Sequence, residues 1–225
     1  MLFDKHRQRR LIFNDDGNQV WTEKNIDYGI TDERSFLDAR TTPTFQTQVD
    51  TYVWCVGNGA EPPYGPMTWG PLWPFIGTYE RAADLVVETC HANDMEVWGS
   101  LRMNDLHDSI RADTLENAAE PIKAAHPEYL LGTNEDRELP STFAEHYLWT
   151  ALNFERPEVR EYRLAYIGKN AARHDFDGYE LDFTRFIWYF PLGKERECAP
   201  LMTDLIRKVR QSLDAIGAER GRPYT

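Results

Sequence analysis

Residues His174 to Phe183 read HDFDGYELDF. Asp177-Gly178 is a turn pair, and Tyr179 to Phe183 then alternates aromatic or aliphatic with acidic side chains. A turn followed by such alternation predicts a strand. Side chains alternate across a strand, so Glu180 and Asp182 share one face and Tyr179, Leu181 and Phe183 share the other. The apolar set belongs against helices. The two carboxylates then point into the concave side of the sheet, Asp182 near its mouth and Glu180 one layer deeper.

Working outward, the same pattern recurs. Pro157 to His174 predicts a helix, with a first-turn proline, Glu158 and Glu161 at the positive dipole end, and an apolar stripe of Val159, Tyr162, Ala165, Tyr166 and Ala172. Arg10 to Asn14, Val49 to Val56 and Met95 to Met103 predict three earlier strands. Asp32 to Arg40, Tyr79 to Asn93 and Asp113 to Ala125 predict the helices between them, and Pro200 to Arg220 a last one. Glu61 to Thr78 carries five prolines, which excludes a regular helix or central strand and leaves an ordered, aromatic-rich loop.

Repeated β-then-α alternation implies a parallel sheet covered by helices. The expectation is an α/β fold of the TIM (β/α)8-barrel type, with residues 1–225 forming one domain that holds the first four βα units. A full barrel takes about 250 residues, and Arg222 to Thr225 reads as the run-up to a fifth strand. The alternative is a complete four-stranded α/β domain.

Composition narrows the function. There are 37 acidic and 25 basic residues, a net charge of −12, which argues against gripping nucleic acid or an anionic membrane surface. Hydrophobic residues make up 41% and aromatics 13%, enough to exclude a disordered chain. No apolar run approaches the length of a membrane span. Met1 to Arg10 is charged and lacks the apolar stretch of a secretory leader, so a cytoplasmic location is expected. Cys55, Cys90 and Cys198 lack the spacing of a disulfide framework or a zinc site, and reduced buried thiols are expected.

In a parallel α/β barrel the strand C-termini form the functional rim. Here those ends hold Asn14, Asp15 and Asp16; Arg102, Asn104 and Asp105 with His107 behind; and Glu180 and Asp182 followed by Arg185. The alternation puts Ser100, Arg102 and Asn104 on the inward face. Arg102 is then expected to reach Glu180, and Asn104 to lie beside Asp182. Paired carboxylates are what glycoside hydrolysis requires. Aromatic faces cover sugar C–H surfaces, and Trp54, Trp69, Trp73 and Trp188 fall near rim loops. No cofactor is expected.

The residues also carry a resemblance. Leu152 to Tyr162 (LNFERPEVREY) followed by HDFDGYELDF resembles the family-10-like glycosyl hydrolases. In these, L-[DN]-x-x-x-P-E-V-R-E-Y leads a helix and Y-D-[VF]-D-G-[IY]-x-[LF]-D forms barrel strand four. His126 to Gly132 (HPEYLLG) is similar to a further segment of these proteins. Phe13 to Gly17 (FNDDG) and Arg102 to Asp108 (RMNDLHD) are similar to a subgroup common in environmental bacteria. The resemblance runs from Arg10 to Tyr224. It implies a barrel acting on a poly- or oligosaccharide, and it matches Asp182 to the strand-four aspartate. That residue is the nucleophile in some glycosidase groups, and a strand-four acid is the proton donor in others. Asp182 and Glu180 are the expected catalytic residues. Asp15, Asp16, Trp54, Arg102, Asn104, His107 and Arg185 are the expected substrate contacts. Barrel glycosidases take a second carboxylate from a later strand, so four units alone are expected to be inactive. Two further readings are a non-catalytic carbohydrate-binding barrel and a metal-dependent hydrolase using Asp15, Asp105 and His107.

Overall fold

β-Branched and aromatic residues crowd the second strand, Thr51–Cys55 (β2), and all five of its residues are buried. Such a strand belongs in the middle of a sheet covered on both faces. In the computed structural model, which describes residues 8–9, 11–22, 29–56, 72–118 and 120–225, β2 lies between Ile12–Asp15 (β1) and Glu96–Arg102 (β3). Gly178–Asp182 (β4) completes the order β1-β2-β3-β4, every pair parallel. The protein is α/β with four parallel strands, a partial TIM-barrel fold.

The register fixes the layers. Asn14, Val53, Trp98 and Gly178 are level with one another, then Cys55, Ser100 and Glu180, then Arg102 and Asp182. These residues face inward. The intervening residues face the helices, as the packing of Trp54 on Phe36 and of Tyr179 on Asn170 shows. The sheet is strongly curled. Asn14 Nδ2 on the first strand donates to Glu180 Oε2 on the fourth at 2.8 Å. A flat sheet would hold those strands about 14 Å apart.

The helices start where the sequence supplies caps. Glu33–Arg40 (α1) has a reciprocal Asp32–Ser35 capping box, and Tyr79–Ala92 (α2) is capped by Thr78. Pro157–Arg173 (α5) opens on its proline, as expected. Two expectations need correction. Asp113 to Ala125 is not one helix. The structure has short helices at Asp108–Arg111 (α3) and Ile122–Ala125 (α4), with a 3-10 turn at Leu115–Asn117 between them. Pro121 sits at the α4 start, where its missing N–H does no harm, and so divides the segment. The last helix, Glu195–Arg220 (α6), begins five residues before Pro200. Its first turn is anchored by buried Cys198, and this outweighs the one backbone bond that the proline removes.

The main core lies between sheet and helices and includes Phe36, Tyr52, Trp54, Leu101, Ile167 and Phe176. All three cysteines are buried and unbridged. Thr225 lies along β4, donating to the Asp177 carbonyl and accepting from the Tyr179 N–H, the alternation of a parallel ladder. No helix among the described residues is long and apolar enough to cross a membrane.

Candidate functional site

The inward face carries its polar groups at the C-terminal ends of the strands. Asp182, the last residue of β4, is half-buried. Its Oδ1 accepts from the Thr184 N–H (2.8 Å), the Thr184 hydroxyl (2.9 Å) and the Arg185 N–H (3.1 Å). That turn fixes the carboxylate, while Oδ2 has no hydrogen bond among the described residues. Glu180 lies one layer deeper. Its Oε2 accepts from Ser100 Oγ and Asn14 Nδ2, and Oε1 has no hydrogen bond among the described residues. Both carboxylates stand where strand alternation puts them.

Arg102 does not reach Glu180. It pairs with Asp16 (2.5 Å) and Asp105 (3.2 Å). The reason is register: Glu180 is level with Ser100, whereas Arg102 is level with Asp182 and projects past the strand end. Asp16 and Asp105 thus flank one guanidinium. Asn104 does not lie free beside Asp182 either. It is buried, donates to the carbonyls of Leu152 and Trp188, and accepts from the Leu152 N–H. It is a bracket between three chain segments.

Asp15 and Trp54 face the helices. Asp15 is buried and accepts from the Gly17 N–H, Gln19, Arg40 and the Tyr52 hydroxyl. Burial and the Asp15 charge push the Tyr52 phenol well above its ordinary value, so it stays a donor. The Trp54 ring is fully enclosed against Phe36. Neither presents a surface to the concave side. Trp73 donates its indole N–H to the Gln19 carbonyl and stacks on Phe75. Trp188 stacks on Tyr147, with centroids 5.9 Å apart. Trp69 and most of the proline-rich loop lie outside the described residues.

The loop after β3 holds a unit that spacing alone did not reveal. Asp105 is fully buried and accepts from both the backbone N–H and the ring Nδ1 of His107, the latter at 2.6 Å. Burial raises the Asp105 carboxyl. The hydrogen bonds that it accepts from the His107 ring and backbone N–H, with the Arg102 charge, outweigh burial and hold it well below the usual carboxylate range. On the far side of the ring, Nε2 meets Arg185 Nη2 at 3.1 Å. A guanidinium only donates. Nε2 is therefore the acceptor, and the ring proton sits on Nδ1, facing Asp105. The legible signal was the Asp-x-His spacing in a strand-end turn. The metal-site grouping does not assemble: Asp15 faces the helices, and no set of three or more potential ligands converges among the described residues.

No protein-family model matches the chain, and no curated protein matches it. Solved structures do. A maltogenic α-amylase from Thermotoga neapolitana is 16% identical at a TM-score of 0.52, covering 92% of this chain and 43% of that one. The α-amylase of Geobacillus thermoleovorans in complex with acarbose is 14% identical at 0.51, covering 90% and 44%. An α-galactosidase from Lactobacillus brevis is 13% identical at 0.51, covering 95% and 26%. At such identities the likeness is one of fold. The chain spans less than half the length of each of these proteins and matches glycosidase barrels over that part.

Proposed function

We propose that this chain carries the catalytic rim of a glycoside hydrolase acting on a poly- or oligosaccharide, in the manner of the family-10-like glycosyl hydrolases its motifs resemble. The observation that carries the reading is Asp182. It ends the fourth strand of a barrel fold shared with α-amylases and an α-galactosidase, and its turn saturates one oxygen and leaves the other open. A carboxylate held in one orientation is suited to act at an anomeric carbon. Glu180 supports the sugar from one layer below. Asp16, Arg102, His107 and Arg185 supply donors and acceptors for hydroxyls around it. Asp15, Trp54 and Asn104 keep the rim in shape from behind.

The test is a hydrolysis screen of the full-length open reading frame, wild type and Asp182→Asn, against a broad panel of α- and β-linked oligosaccharides. The proposal expects cleavage by wild type and a loss of about 10²–10⁴-fold in the variant. Cleavage that survives in the variant removes Asp182 from the reaction.

One observation favours a second reading, carbohydrate binding without hydrolysis. Glu180 and Asp182 lie on one strand, one above the other. An acid and its partner must instead flank the scissile bond. Glycan binding with no turnover by wild type would select this reading.

A further inference from the structure

Three arginines of the described residues stand at or behind the strand ends, and two of them are neutralised. Arg40 pairs with Asp15. Arg102 pairs with Asp16 and Asp105. Arg185 differs: it is exposed and makes no ion pair among the described residues. Its guanidinium rests on the neutral Nε2 of His107, at 3.1 Å. That acceptor is built for the purpose. Asp105, fully buried, accepts the hydrogen bond from Nδ1–H and so turns the Nε2 lone pair towards Arg185. The arginine's own backbone N–H is tied to Asp182 Oδ1. The side chain is thus oriented at both ends, and among the described residues its charge is uncompensated and four of its five N–H donors have no acceptor.

We infer that the glycan taken at this rim is acidic, and that Arg185 pairs with the carboxylate of a uronic-acid residue. The inference rests on the reading of the inward face as a glycan site and names the substrate class. A planar guanidinium fork matches a carboxylate through two parallel hydrogen bonds. The need for it follows from net charge. A chain at −12 repels an anionic ligand, and Asp182 and Glu180 add two carboxylates on the same face. A uronate can bind there only beside a cation that the protein has not already neutralised. Holding that cation on an imidazole rather than on an aspartate does this. Phe186 packs edge-on to His107, and Trp188 shares its apolar cluster. They give the C–H face of a sugar a surface next to the guanidinium.

The experiment is a glycan array bearing neutral oligosaccharides, their uronate-containing counterparts and sulfated glycans, probed with the 225-residue chain and its Arg185→Gln variant. Arg185 is exposed, so the variant is expected to melt with wild type, which a thermal scan checks. The expected result is uronate binding at least tenfold above the neutral counterparts, falling at least tenfold in Arg185→Gln. Equal binding of neutral and uronate glycans, or a preference that persists in the variant, overturns the inference and leaves the glycan reading standing. Stronger binding of sulfated than of uronate glycans overturns the carboxylate assignment. No binding to any class overturns both.

Discussion

His91, at the end of α2, lies on the opposite side of the barrel from the rim and shows how single residues set its pH behaviour. Its Nε2 meets Asp177 at 3.0 Å, Asp175 lies 3.8 Å from Nδ1, and Arg222 binds both aspartates. The Asp177 hydrogen bond raises the His91 value, and burial and Arg222 oppose it. A group whose folded value is raised stabilises the protein fully below its unfolded value, near 6.5, and loses that contribution as pH rises through the folded value. Thermal midpoints of wild type and His91→Gln should therefore differ most near about pH 5.5 and converge by about pH 9. A constant gap across that range would refute the coupling. At this scale the sequence was legible where one strand face is polar: alternation placed Glu180 and Asp182. It failed at Trp54. All of β2 is buried on both faces, so its side chains carry no alternation to read, and an aromatic there fits either face.

Between elements, the loop that presents His107 is held by charges with no exposure to water. Lys123 on α4 donates to Asp108 (2.7 Å) and to the Asp105 carbonyl (2.9 Å), and Arg163 on α5 pairs with Glu120 (2.8 Å). All four charged side chains are fully buried. Removing one member strands the others. Lys123→Met should cost about 3–5 kcal/mol by leaving buried Asp108 without its cation. A urea titration reads this as a lower midpoint, and an unchanged midpoint would show that the network does not hold the loop. This network also explains why the segment from Asp113 to Ala125 misled. Helical periodicity assumes apolar residues mark the buried face, yet here Glu120 and Lys123 are buried alongside Ile122. α5 was legible because its proline, acidic first turn and apolar stripe agree. α6 extends ahead of Pro200 because tertiary burial of Cys198 outweighs local propensity.

For the whole molecule, β-then-α alternation was enough to foresee a parallel sheet with its polar ends on one side. Curvature was not written in any one segment. It emerges from contacts such as Asn14 with Glu180, between residues 166 positions apart, and from the base of the inward face, where Arg9 and Thr51 enclose fully buried Glu96. That curl makes one face of the sheet a rim rather than a flat surface, and every role proposed for Asp182 and Arg185 depends on it. The most direct measurement is a crystal structure of the Asp182→Asn chain with the glycan that wild type cleaves or, without turnover, the one it binds best on the array. The account predicts a sugar ring on the inward face, within hydrogen-bond distance of residue 182 and Arg185. A sugar seated against the outer helices, or at the opposite end beside His91 and Asp177, would contradict it.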